Sequence, residues 1–260
     1  MTRSQALKRP TVRRSLLGGS IAVALLVAVL IPLALHHSNT DSRLAADEPS
    51  LVDNFSDDPD GLKTRTDSGL AVSLFPIDSP RTPRVDDGAL TFDDTEGVLG
   101  GYYIIELPDV RNAKVDFSFT PWSKGGGLVC LAFMESDIAL SSPVVPRSPL
   151  HFTLSPTNWS VDVFDTKGDA ARTVVEGSFD PPLSANGTEV YTMGVRLDQA
   201  KNVAEISLPT GEIFVAADPS FGIEANFAYI ETWRTTADSD ETLARVRAWS
   251  ADSAAEFSAD

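Results

Sequence analysis

Twenty consecutive residues, Leu16 to Leu35, carry no charge, and the stretch before them holds five basic residues and no acidic one. As a helix rising about 1.5 Å per residue, such a run is about 30 Å long, the thickness of a bilayer's hydrocarbon core. The flank of Arg3, Lys8, Arg9, Arg13 and Arg14 favours a cytoplasmic N-terminus, so everything after His37 is expected outside. The expectation is a single-pass cell-membrane protein with an extracytoplasmic domain, in contact with the lipid bilayer through Leu16–Leu35.

A cleaved signal peptide is the competing reading, and it would give a secreted chain. Its apolar core usually runs about 7–15 residues and ends at small residues. Here the core is longer, and the nearest small-residue candidate, Leu44-Ala45-Ala46, lies well downstream. Val12-Arg13-Arg14-Ser15-Leu16-Leu17 resembles a twin-arginine export signal in part, with Val12 standing where Ser or Thr is usual. Both readings export the bulk of the chain.

Charge divides along the same line. Residues after His37 hold 16 basic and 37 acidic side chains, a net of −21. A domain this acidic repels nucleic acid and anionic lipid, so neither is an expected partner of it. A single cysteine, Cys130, permits no internal disulfide, and its setting in Gly127-Leu128-Val129-Cys130-Leu131-Ala132-Phe133 reads as a small buried hydrophobe. With His36 and His37 at the membrane edge, histidine chemistry in the domain would depend on His151 alone.

The segment 36–50 is polar and without period, which reads as a tether; residues 251–260 read as a flexible tail. Residues 51–250 form one expected domain, with residues 1–15 as the cytoplasmic basic segment and 16–35 as the anchor. Apolar and polar residues alternate with period two in Lys114–Thr120, Trp159–Phe164 and Tyr191–Asp198, the pattern of half-buried strands. The apolar run Gly127–Phe133 predicts a strand covered on both faces. Turn pairs punctuate the pattern at Asp87-Gly88, Glu96-Gly97, Lys167-Gly168, Asn186-Gly187 and Thr210-Gly211. The last two predict pairing among Val190–Leu197, Val203–Leu208 and Ile213–Ala216. The fold class is therefore all-β: an antiparallel β-sandwich or jelly roll, preceded by one N-terminal transmembrane helix.

Across residues 51–250 the order of these pieces resembles the concanavalin A-like lectin/glucanase sandwich in its LamG-like form. The likeness rests on the opening Asp53-Asn54-Phe55, the glycine-rich Lys124-Gly125-Gly126-Gly127 leading into an apolar strand, Ser207-Leu208-Pro209-Thr210-Gly211 between strands, and the closing Leu243–Trp249. The resemblance implies a curved sheet whose concave face or rim loops bind glycans, sometimes beside calcium.

Glucanases of that superfamily set three acids on one strand as Glu-x-Asp-x-Glu or with one further residue before the last. Glu135-Ser136-Asp137 begins the pattern, but Ala139 and Leu140 stand where its acid/base would be. No catalytic residue is therefore expected, and Glu135 and Asp137 enter only as ligand-binding candidates. Among the aromatic residues, Trp122 and Trp233 are the expected sugar-stacking pair. Trp159 and Trp249 lie in strand patterns and are expected in the core, with Tyr102 and Tyr103 as further stacking candidates. Calcium is the one cofactor considered, at the acidic turn of Asp57, Asp58 and Asp60. The expected role is non-catalytic binding of an envelope carbohydrate or other surface ligand. Two alternatives stand beside it: a glycan hydrolase or lyase with acids on separate loops, and a structural protein with a membrane-protein partner.

Overall fold

In the computed structural model, residues 50–75, 82–91, 101–121, 126–135, 150–164, 171–235 and 242–253 are described. The apolar run, Trp122, Asp137 and the turns at Glu96-Gly97 and Lys167-Gly168 lie outside them. Among the described residues no helix is long and apolar enough to cross a membrane.

The strands follow one another as β1 Ser50–Asn54, β2 Val72–Phe75, β3 Arg84–Asp86, β4 Ala89–Thr91, β5 Gly101–Glu106, β6 Asn112–Pro121, β7 Gly126–Met134 and β8 Leu150–Leu154. They continue with β9 Asn158–Phe164, β10 Ala171–Ser178, β11 Tyr191–Asp198, β12 Val203–Ser207, β13 Ile213–Ala217, β14 Phe227–Thr235 and β15 Thr242–Asp252, and Pro219–Gly222 forms a 3-10 turn. Two antiparallel sheets result. One runs β13-β12-β11-β6-β15-β4-β3, with β1 also on β15; the other runs β10-β9-β8-β7-β14-β5-β2.

Alternation puts one row of side chains from each sheet between the two. Val115, Phe117 and Phe119 of β6 and Met193, Val195 and Leu197 of β11 meet Val129, Leu131 and Phe133 of β7 and Ala228 and Ile230 of β14 in one continuous core. Trp159 and Trp249 are part of it, as expected. Aromatic edges tie the layers together: Tyr103 meets Phe55 at 5.6 Å and Trp249 at 6.0 Å between ring centroids, both edge to face. Tyr102 and Tyr103 are both buried, which corrects their reading as stacking candidates.

Two bulges reset the phase of alternation. In β15 the register with β6 shifts between Val246 and Ala248, so Val246 and Trp249, three apart, both face inward. A similar shift in β10 falls between Thr173 and Val175. The Asp87-Gly88 pair closes the β3–β4 hairpin with φ of 48° and 64°, the left-handed pair that a two-residue hairpin turn requires. Asn186-Gly187 instead precedes β11 without closing a hairpin, and the β11–β12 turn is made by Asn202 at φ 56°. At the edge of the larger sheet, β13 bonds only to β12 among the described strands and exposes Ile213 and Val215, each 65% accessible.

Candidate functional site

The outer face of the seven-stranded sheet is split by polarity. In β7 the odd residues enter the core, so Leu128, Cys130, Ala132 and Met134 face outward. Cys130, Ala132 and Met134 join Tyr102, Ile104, Tyr229 and Phe227 in a second apolar cluster. Toward β10 the same face turns polar. Cross-strand pairs Cys130–Thr153 and Thr153–Ser160 carry it across β8 and β9, and Ser160 pairs with Glu176 of β10.

Here a cleft of about 570 Å³ opens, lined by Thr153, Ser155, Asn158, Ser160, Glu176 and Ser178, with Leu128, Trp159 and Gly177 beside them. The β8–β9 turn at its end is fixed by Ser155 Oγ, which accepts from the Asn158 and Thr157 amides at 3.0 and 3.3 Å. Asp162 accepts from the hydroxyls of Ser160 and Thr173, both at 2.6 Å, so the hydroxyl row is held by a carboxylate between the two outer strands. Among the described residues of the lining, Glu176 is the one carboxylic acid. A floor of small hydroxyls, an amide and one acid can donate to and accept from a polyhydroxyl ligand.

Where apolar and polar halves meet, Cys130, His151 and Glu231 converge from β7, β8 and β14, all buried. His151 Nε2 is 2.8 Å from the Tyr229 hydroxyl, and its ring lies 4.5 Å from that of Phe164. Burial holds the imidazole neutral, its pKa lowered to about 3. Burial, and secondarily the neighbouring Glu231, pushes the Cys130 thiol up. The expectation that Cys130 is a buried small residue stands.

A second polar cluster sits beneath β1. Lys63 Nζ lies 2.5 Å from Asp53 and 2.9 Å from Asp67, and also bonds Asp58. It stands 5.1 Å from the centre of the Phe55 ring, and Tyr103 donates to Asp53 at 2.6 Å. Burial opposes the Lys63 charge, but the carboxylates of Asp53, Asp58 and Asp67 outweigh it and raise the pKa. The converging acids thus share only Asp58 with the calcium set read from sequence, and the cation they enclose is an ammonium. Asp57 is exposed, and Asp60 accepts the Asp87 amide at 3.0 Å.

Of the ligand-binding candidates, Glu135 is exposed just past β7, and Trp233 lies in β14 as the register partner of Leu128, a residue of the cleft. Apart from Trp159, expected in the core, the cleft residues were not singled out as candidates by sequence. The signal available was the alternation of β9, which sets Asn158, Ser160 and Asp162 on one face.

No family model matches the chain, and no curated protein does. Solved structures match it in fold. A glycosidic hydrolase superposes at TM-score 0.51 with 8% identity, over 80% of this chain and 97% of its own. The carbohydrate recognition domain of Emp47p gives 0.51 at 9%, over 82% and 98%. The CBM2 module of an evolved Dit from Lactobacillus casei BL23 phage J-1 gives 0.50 at 10%, over 78% and 96%. The chain also spans 18% of the length of a sialidase that it matches. The fold of this chain is the concanavalin A-like β-sandwich.

Proposed function

We propose that this chain is a membrane-anchored, extracytoplasmic module that binds carbohydrate without cleaving it, through the cleft on the outer face of β8, β9 and β10. The observation that carries the reading is the cleft itself: about 570 Å³, floored by hydroxyls with Asn158 and Glu176 among them, on a fold shared with a carbohydrate recognition domain. Its size suits one or two sugar rings. Hydrolysis by paired acids needs two carboxyl groups about 5–9.5 Å apart, and the described lining offers only Glu176. The outward positions of β7 that an acid-bearing strand would use are Leu128, Cys130, Ala132 and Met134. Calcium at the acidic turn would have to displace the Lys63 ammonium.

The anchor is Leu16–Leu35, with the N-terminus cytoplasmic and the sandwich reaching the envelope on the polar segment after it. The full chain should remain with membranes after high-salt washing, and a reporter active only outside the cell, fused after Ser250, should be active. A soluble mature protein beginning near Ala46 would replace the anchor with a signal peptide.

Binding is tested on a glycan array and by cell-wall pull-down, with reducing-sugar release followed in parallel. Wild type should retain a glycan that Glu176→Ala and Asn158→Ala variants of unchanged melting temperature retain at least tenfold more weakly. Sugar release would establish a hydrolase. Wild type and variants binding alike would move the site off this cleft.

A further inference from the structure

We propose that Cys130, His151 and Glu231 form a binding site for a thiophilic divalent cation, zinc by preference. This is independent of the carbohydrate reading.

Their ligating atoms, a thiol sulfur, an imidazole nitrogen and a carboxylate oxygen, all lie within 4.8 Å of one another. Donors around one zinc ion stand about 3–4 Å apart, given bond lengths of about 2.0–2.3 Å. Each donor therefore needs to shift by less than about 1 Å to enclose the ion. Backbone register makes the convergence a property of the sheet and not of mobile side chains. Glu231 is the direct cross-strand partner of Cys130, and Ala132, opposite His151, presents only a methyl group between the two strands. Three adjacent strands, β8, β7 and β14, thus supply one ligand each.

The surroundings fit a metal as well as the donors do. A ligating histidine commonly uses its second nitrogen in a hydrogen bond that fixes its tautomer and its ring plane. Tyr229 occupies that place on Nε2, which leaves Nδ1 for the metal. Thr153, the cross-strand partner of Cys130, hydrogen-bonds its sulfur. The wall around the site is apolar, from Tyr102, Ile104 and Met134, which shields the ion from water. A thiolate and a carboxylate together balance a divalent charge, with the thiol proton released to solvent as the ion binds. Sulfur with imidazole selects zinc over calcium or magnesium, which take oxygen ligands. Three protein ligands leave a fourth position for water or a further group.

The test uses the full-length protein, analysed for metals as purified, then stripped with a chelator and titrated with zinc or cobalt(II). One equivalent of zinc should bind, and the cobalt form should show a thiolate-to-metal charge-transfer band. Tyr229→Phe should keep the band and weaken zinc affinity by roughly 10–100-fold. Cys130→Ser should abolish the band, and Glu231→Gln should lower the stoichiometry below one at equal free zinc. Absence of the band in the cobalt-loaded wild type overturns the site. So does a metal content unchanged by Cys130→Ser and Glu231→Gln, which would place the ion elsewhere, as at His36 and His37. If Cys130→Ser does not fold, X-ray absorption on the wild type decides: one sulfur neighbour supports the site, and none overturns it.

Discussion

Trp159 of β9 lies so close over Gly177 of β10 that a methyl group on that glycine would sit 2.5 Å from the indole Nε1. The two residues are direct cross-strand partners, and both border the cleft. The indole also packs against Phe214, 4.7 Å between ring centroids. Glycine is needed here for space and not for a special φ.

Gly177→Ala should therefore destabilise the sandwich by about 1–3 kcal/mol, the range for overpacking a filled site. Urea denaturation would measure it. A loss below about 0.5 kcal/mol would mean that the indole swings aside.

Removing Lys63 should cost more. Lys63→Met leaves Asp53, which is fully buried, facing Asp58 and Asp67 without a cation. A loss of about 3–5 kcal/mol is expected, the usual result of breaking a buried pair from one side. Adding Asp53→Asn should recover part of it, and a double-mutant cycle by thermal or chemical melts would show the coupling.

Acid should expose the Arg172–Asp218 pair. Arg172 donates twice to Asp218, at 2.8 and 3.0 Å, and these bonds lower the Asp218 pKa from 3.8 to about 2. A carboxyl depressed in the folded state stabilises it above the unfolded pKa, and that stability fades as pH falls from 3.8 toward 2. Because Arg172 is more than half exposed, solvent screening keeps the contribution small at neutral pH. Arg172→Ala should lose that contribution near pH 7, and its melting curve should converge on wild type near pH 2. A constant difference across this range would assign the loss to packing.

In the metal-free native protein Cys130 should react slowly with alkylating reagents, because it is fully buried and burial pushes its thiol pKa up. Labelling with a chromogenic thiol reagent should become fast only on adding denaturant. Fast native labelling would contradict its place on the covered face of β7.

Much of the sandwich was legible in the alternation of Lys114–Thr120, Trp159–Phe164 and Tyr191–Asp198, because each strand there turns its apolar side chains to the core and most of its polar ones away from it. The burial of Trp159 and Trp249 followed from the same pattern. Alternation fails where the chain adds a residue. The bulge in β15 brings Val246 and Trp249 to one side, which no period-two reading foresees. It fails again where both faces are covered: Tyr102 and Tyr103 point opposite ways, and neither reaches water. The converging groups were hidden for another reason. Asp53 and Lys63 meet Tyr103 across half the sandwich, and Cys130 meets His151 and Glu231 only through the order β8-β7-β14. Sheet order is a long-range property that local spacing does not carry.

The strand that opens the sandwich is hydrogen-bonded to the strand that ends it, from Ser50 opposite Asp252 to Asn54 opposite Ala248. β1 and β15 are therefore joined only once about two hundred intervening residues exist. A ribosome-bound or partly exported chain lacking its last strand has an open larger sheet, with β6 and β1 both missing the neighbour they share. Completion of the domain is in this sense an all-at-the-end event. If the domain crosses a membrane pore as an unfolded chain while its N-terminus stays on the cytoplasmic side, the larger sheet closes only when β15 emerges on the far side, and a stop codon anywhere before Thr242 takes away the strand that β1, β4 and β6 all pair with, not the tail alone.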